Sequence, residues 1–161
     1  IRVAGDTFNR DILDYMRRQH NLLIGERSAE RVKIEVGSAL TELDDGPADY
    51  EIRGRDLMTG IPKTIKISYS EIAFALDKSV SKLEEAVLKA LETSPPELSA
   101  DIYERGIYLT GGGALLRGLD RRLALKTKLP IHVADDPLRA VVRGTGQTLK
   151  NIQQFRAVLM T

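Results

Sequence analysis

The chain has 161 residues, of which 42% are hydrophobic and 29% charged, and its formal net charge is +1. That balance is typical of a globular protein with a substantial core. The small net charge and the 5% of aromatic residues give no electrostatic or stacking basis for binding nucleic acid. The absence of cysteine excludes disulfides, thiol chemistry and zinc sites built on thiolates.

The first part of the chain predicts two helices. Residues 1–4 are typical of the end of a strand already begun, which indicates a longer parent protein. Asp6 is predicted to cap a helix that reaches His20, because apolar residues recur there at helical spacing. Ser28 is predicted to cap a second helix that reaches about Leu40.

The middle of the chain predicts a hairpin and a long helix. Apolar and polar residues alternate over 50–55 and 61–67, which favours two paired strands. Ser68 and Glu71 match a capping box, in which each residue bonds the backbone amide of the other. An apolar stripe at helical spacing follows, and we expect its helix to end before Pro95.

The last third predicts short strands around a run of glycines. We expect a turn over residues 97–106, a strand over 107–110, a helix over about 115–126, a strand over 130–135 and a helical tail over 137–161. Asp136 and Pro137 are predicted to start the tail helix, and Gly144 and Gly146 to break it. The alternation of strands and helices at both ends of the chain indicates an α/β layer, with an inserted lobe over about residues 5–68.

Three consecutive glycines, Gly111–Gly113, stand between a predicted strand and a predicted helix. This arrangement can present bare backbone amides to an anion. It is not a P-loop, because no Lys-Ser/Thr pair follows, and Leu116 occupies the place of the third glycine of a dinucleotide-binding fingerprint. A tight turn without a ligand is an equally good interpretation of the pattern alone.

The second predicted helix carries another candidate. Glu30, Lys33 and Gly37 form a stripe beside the apolar one, since they are spaced i, i+3 and i+7. A carboxylate and an ammonium group beside a flat surface are suited to binding a ribose diol and an adjoining ring. By spacing alone, a solvated face with a tolerated glycine is the favoured interpretation. A second polar run is also interpreted as a solvated helix face: Arg117, Arg121, Arg122, Lys126 and Lys128.

Four stretches together resemble a known family: "GDTFNRDILDYMRR", "IGERSAERVKIEVGSA", "PPELSADIYERGIYLTGGGALLRGLDRRL" and "DDPLRAVVRGTGQTL". They are similar to the C-terminal half of the MreB family of bacterial actin homologues, and the resemblance covers nearly the whole chain. It implies an α/β fold of the actin/Hsp70-like (ribonuclease-H-like) type, specifically domain II with a small inserted α+β lobe. The large lobe (IIA) would be residues 1–4 and 68–136, the small lobe (IIB) residues 5–67, and the C-terminal helices at 137–161 would cross back towards domain I.

The resemblance also implies a site for ATP or ADP with Mg²⁺. The glycine turn would lie under the adenosine and the α-phosphate, and Glu30 and Lys33 would contact the ribose and the adenine edge. The residues implied to bind the nucleotide are Glu30, Arg31, Val32, Lys33, Gly111, Gly112, Gly113 and Ala114. The Mg²⁺ ligands would belong mainly to an upstream half.

The implied function is that of an ATP-dependent cytoskeletal protein. Its filaments would form at the inner face of the bacterial cell membrane and organise cell-wall synthesis and rod shape. The partners implied are further copies of the protein, rod-complex and cell-wall synthesis proteins, and the membrane through domain I only. The full protein would be a Mg-ATPase, whereas this chain alone would be inactive.

Two alternatives stay open. The chain could be a stand-alone protein-interaction module on an actin-type half-fold that binds no nucleotide. A small-molecule kinase of the same fold would need a sugar- or acid-binding constellation, and the sequence contains none that we can identify.

Overall fold

The computed structural model describes residue 1 and residues 3–156. Its elements, numbered in chain order, are α1 (Gly5–His20), β1 (Leu22–Leu23), α2 (Glu26–Val36), β2 (Tyr50–Asp56), β3 (Pro62–Ile67), α3 (Tyr69–Glu92), α4 (Pro96–Arg105), β4 (Ile107–Leu109), a 3₁₀ turn (Gly112–Leu115), α5 (Leu119–Thr127), β5 (Ile131–Val133) and α6 (Ala140–Lys150).

Two small sheets organise these elements. Strands β1, β2 and β3 form an antiparallel sheet in that order, and β2 pairs with β3 from Tyr50 opposite Ile67 to Arg55 opposite Pro62. This confirms the predicted hairpin. Strands β4 and β5 run parallel and are connected through the glycine turn and α5, as a parallel pair needs a crossover.

Helices α1, α2, α3 and α5 and the antiparallel sheet pack around one continuous apolar core. Its largest fully buried side chains come from α1 (Ile12, Met16), α2 (Val32, Val36), α3 (Ile72, Leu76, Val80), β1 (Leu22) and β3 (Ile67), and α5 adds Leu119 and Leu123. Burying a side chain of this size stabilises the fold by roughly 1.5–3 kcal/mol. The core therefore holds the glycine turn, through α5, against α1, α2 and α3.

The capping box predicted at the start of α3 is present. The Ser68 hydroxyl accepts from the Glu71 amide over 3.3 Å, and the Glu71 carboxylate accepts from the Ser68 amide over 3.0 Å. Two amides that the helix cannot bond are thereby satisfied. The helix then runs for 24 residues along the core.

The starts of the first two helices differ from the predictions. The described part of residues 1–4 contains no strand. Helix α1 is capped by Ala4, so Asp6 lies in its first turn, where a carboxylate stabilises the positive end of the helix. Helix α2 is capped by Gly25 three residues before Ser28.

Two segments of the second half were also predicted wrongly. Residues 97–106 were predicted as a turn, but most of them belong to α4, which begins at Pro96 because proline needs no hydrogen-bond partner at a first helical position. The helix expected from about residue 115 begins at Leu119, after the 3₁₀ turn and Gly118, whose φ is +73°.

The tail differs in its start and in its continuity. Asp136 and Pro137 form a turn in which the Asp136 carbonyl accepts from the Arg139 amide over 3.0 Å, and α6 starts at Ala140. Helix α6 runs through Gly144 and Gly146 without a break. The part of the predicted tail from residue 157 onwards lies outside the described residues.

The lobe boundaries at residues 4–5 and 67–68 stay a prediction, as does the path of the C-terminal helices. Within residues 1 and 3–156, no helix has both the length and the apolar character needed to cross a membrane.

Candidate functional site

The glycine turn begins where β4 ends. Gly111 has φ +77° and ψ 175°, a backbone region that is essentially restricted to glycine. Its amide donates to the Pro137 carbonyl over 2.7 Å, which fixes the turn against the segment after β5. The backbone itself therefore requires glycine at this position.

At Gly112 and Gly113, neither the backbone conformation nor the packing within the chain requires glycine. A Cβ at Gly113 would meet no atom within 4 Å, and one at Gly112 would make an ordinary contact of 3.5 Å with Leu138 Cδ2. Neither residue has a positive φ. The space beside these two backbones is open, and as first residues of a helical turn their amides cannot bond within the turn. A ligand could approach this backbone closely.

Ala114 completes the turn. Its amide donates to the Gly111 carbonyl over 3.2 Å, and the residue is 7% exposed. Its methyl group packs inward, so Ala114 offers a ligand mainly backbone.

The four α2 residues of the predicted site divide into two groups. Glu30 and Arg31 are exposed, and no hydrogen bond or ion pair to another described residue engages either side chain. Val32 is completely buried in the core, so its side chain holds α2 in place. Lys33 is half-buried, and its ammonium group donates to the Gly5 carbonyl over 3.4 Å. Glu30 and Arg31 thus have charged groups free for a ligand, whereas Lys33 would have to share its ammonium.

Gly37 does not form the flat spot inside a helix that its spacing predicted. It is the C-cap of α2 and is buried. A Cβ there would collide with the Lys33 carbonyl and would lie 3.2 Å from Leu116 Cδ1. Internal packing therefore explains this glycine without a ligand.

Two arginines of the supposed solvated face have specific roles that the sequence did not reveal. Arg117 donates from Nη1 to the Ile34 carbonyl over 3.1 Å, at the end of α2. Arg122 forms ion pairs with Glu84 at 2.7 Å and with Asp77 at 2.9 Å. Burial works against the charge on Arg122, but the bonds to these carboxylates outweigh it and raise the pKa of the guanidinium. No short sequence pattern marks either role.

Comparison with known proteins identifies the family. The sequence model of the MreB/Mbl protein family matches residues 1–157. The chain belongs to the MreB/Mbl family. The cell shape-determining protein Mbl of Bacillus subtilis is 46% identical over 155 residues, which are 96% of this chain and 46% of Mbl. MreB of Escherichia coli K12 is 47% identical over 152 residues, which are 94% of this chain and 43% of MreB. The chain spans less than half the length of these MreB/Mbl relatives.

Solved structures confirm the predicted actin-like α/β fold. MreB5 of Spiroplasma citri bound to ADP superposes with a TM-score of 0.89 at 40% identity, over 96% of this chain and 46% of MreB5. The same protein bound to AMPPNP gives 0.88 at 39% identity, over 99% of this chain and 47% of MreB5. The MamK double helical filament shares the fold alone, with a TM-score of 0.68 at 18% identity, over 86% of this chain and 42% of MamK.

Proposed function

We propose that this chain is the nucleotide-binding C-terminal half of an ATP-dependent, actin-like protein of the MreB/Mbl family. The observation that carries the proposal is the open backbone at Gly112 and Gly113, where neither conformation nor packing inside the chain calls for glycine. A bound nucleotide gives a reason for both. Two solved structures of MreB5, at 39% and 40% identity, are bound to AMPPNP and ADP, which supports the same ligand here.

In this proposal the two elements address different parts of the nucleotide. The glycine turn lets the adenosine and the α-phosphate approach the backbone, where amides can donate to phosphate oxygens. The Glu30 carboxylate accepts hydrogen bonds from ribose hydroxyls, and Lys33 reaches the adenine edge. Arg31 adds positive charge beside them, and Val32 anchors the helix that carries all three.

Mg²⁺ and the chemical step depend on residues outside this chain. Within residues 1 and 3–156, no group of three or more histidine or acidic side chains could hold a metal ion. Phosphoryl transfer depends on positioning and on neutralising charge, which Mg²⁺ supplies when bound. We therefore propose that the chain alone binds the adenosine part without hydrolysing ATP, and that the full protein is the Mg-ATPase.

Assembly and cellular role complete the proposal. The full protein forms filaments of its own copies at the inner face of the bacterial cell membrane, where it organises cell-wall synthesis and rod shape with rod-complex proteins. Its membrane contact belongs to domain I. The C-terminal helices pack back towards domain I: α6 has no buried residue, and its Val141, Val142 and Leu149 are 64%, 73% and 64% exposed.

The test starts from the native polypeptide. Its intact mass from source cells is expected to be about twice the 17.9 kDa of this chain. ADP titrations then compare the wild type with Gly112→Val and Gly113→Val, and with Gly144→Val as a matched control, because a Cβ at Gly144 also meets nothing within 4 Å. We expect the two turn variants to lose at least tenfold in affinity while their melting temperatures stay close to that of the wild type.

The other outcomes are equally informative. Unchanged affinity in both turn variants would show that the glycine turn is not the nucleotide site. A native polypeptide that binds neither ADP nor ATP would favour the stand-alone interaction module.

A further inference from the structure

The end of α2 is bonded to the residues that directly follow the glycine turn. The Ala39 amide donates to the Arg117 carbonyl over 2.8 Å, and Ser38 pairs with Arg117 as an isolated parallel bridge. The Arg117 side chain returns to the helix, since its Nη1 donates to the carbonyls of Ile34 at 3.1 Å and Gly37 at 3.5 Å. We call the contact between residues 37–40 and residues 116–118 the α2 junction.

Close packing reinforces the α2 junction. Ser38 is fully buried, and its hydroxyl donates to the Leu40 carbonyl over 2.7 Å. A Cβ at Gly118 would lie 2.9 Å from Leu40 Cδ1, just as one at Gly37 would crowd Leu116. The two segments approach closely enough that a side chain at either glycine would displace the leucine packed against it.

Arg117 meets an electrostatic need at the end of the helix. The Ile34 carbonyl belongs to the last turn of α2, where carbonyls lack partners within the helix. A cation at this end also stabilises the helix dipole. Arg117 therefore stabilises the end of α2, and its acceptor Ile34 lies about one helical turn after Glu30 and directly after Lys33.

We propose that Arg117 is a positioning residue for the nucleotide site. It holds α2 against the glycine turn, so that Glu30 and the backbone of Gly112 and Gly113 face one bound nucleotide together. The proposal rests on the nucleotide-binding function proposed above. It assigns Arg117 no contact with the nucleotide: its effect passes through the orientation of α2.

The test compares ADP titrations of the wild-type native polypeptide and its Arg117→Met variant. Methionine keeps much of the length of the arginine side chain but removes its hydrogen-bond donors and its charge. We expect the dissociation constant to rise at least tenfold, and Arg117→Lys, which keeps a charged donor, to stay within about threefold of the wild type. Arg121→Met is the matched control, because Arg121 lies on α5 and pairs instead with the 86% exposed Asp44. We expect it to bind ADP normally.

A double variant separates positioning from general stabilisation. If Arg117 acts through Glu30, then Glu30→Ala should weaken ADP binding much less in the Arg117→Met background than in the wild type. A merely structural role would lower the melting temperature and leave the effect of Glu30→Ala unchanged. Should Arg117→Met not fold, Arg117→Gln, which keeps a neutral donor, serves for the same comparisons.

The results that would overturn the positioning role differ from those that would overturn the proposed function. A wild type that binds ADP together with an Arg117→Met variant of unchanged affinity would overturn the positioning role alone. Equal losses in the Lys and Met variants would also overturn it. A wild type that does not bind ADP would overturn the proposed function, and the positioning role with it.

Discussion

The Arg122 guanidinium on α5 donates to the Glu84 carboxylate on α3 over 2.7 Å, and Glu84 is only 8% exposed. The same guanidinium donates to the Ala39 carbonyl over 3.0 Å and to the Ser81 hydroxyl over 3.1 Å. One side chain thus connects α3, α5 and the segment after α2. A charge pair removed from water in this way is costly to break, because the remaining partner keeps its charge without compensation.

Replacing Arg122 with methionine should lower the free energy of unfolding by about 3 kcal/mol, since the buried Glu84 side chain would lose its ion-pair partner. Urea denaturation measures this change. The control is Arg121→Met, whose partner Asp44 is exposed, and its cost should not exceed about 0.5 kcal/mol. The double variant Arg122→Met/Glu84→Met should recover part of the loss. Equal costs for the two single arginine variants would refute the structural role given to Arg122.

The Glu30→Ala variant should weaken ATP and ADP binding by about tenfold in the native polypeptide, because a hydrogen bond to a charged group contributes roughly 1.5–3 kcal/mol. Its melting temperature should not change, since the side chain is exposed and no bond to another described residue engages it. Glu35→Ala, which removes another exposed carboxylate from α2, is the control. If the dissociation constant is the same in both variants, Glu30 does not contact the nucleotide.

The stability of the loop between β2 and β3 should depend on pH through the Asp56 carboxylate. The amides of Thr59 and Met58 donate to its carboxylate and, with Lys63 nearby, hold the pKa of Asp56 below its ordinary value. A lowered pKa in the folded state means that the stabilising contribution is complete above the ordinary value of about 4. It is lost as the pH falls through the lowered value.

The comparison of wild type with Asp56→Asn tests this. The difference in unfolding free energy between the two should be constant from pH 7 to about pH 5 and should shrink towards pH 2. Denaturant titrations at several pH values measure it. A difference that does not vary over this range would show that the Asp56 carboxylate does not stabilise the loop by its charge.

The parts of the fold that were predicted correctly depend on short-range signals. Ser68 and Glu71 are three residues apart, so their reciprocal bonds can be recognised in the sequence. Alternation along β2 and β3 likewise identified the hairpin. Helix α4 was missed because Pro95 and Pro96 were interpreted only as the end of α3, although Pro96 also starts the next helix. Helix α6 continues through Gly144 and Gly146, although each glycine destabilises a helix by about 1 kcal/mol relative to alanine.

Only the local part of the candidate site could be recognised in the sequence. Gly111–Gly113 form a contiguous pattern between a strand and a helix, and their role in binding a nucleotide stays a prediction. Gly37 was interpreted as a flat spot beside Glu30 and Lys33, but a Cβ there would collide with the Lys33 carbonyl and crowd Leu116, which is far away in the sequence. The role of Arg117 was missed because its acceptors on Ile34 and Gly37 lie 83 and 80 positions away. Contacts of that range leave no periodic trace in a single sequence.

The α2 junction also has a kinetic consequence. Ser38 and Arg117 are 79 positions apart, so their contact closes a long loop of the chain. Bringing such distant segments together is entropically unfavourable, whereas the hairpin and the helices can form locally. We therefore expect the junction to form late in folding, after the transition state. Weakening it should then accelerate unfolding while leaving the rate of folding almost unchanged.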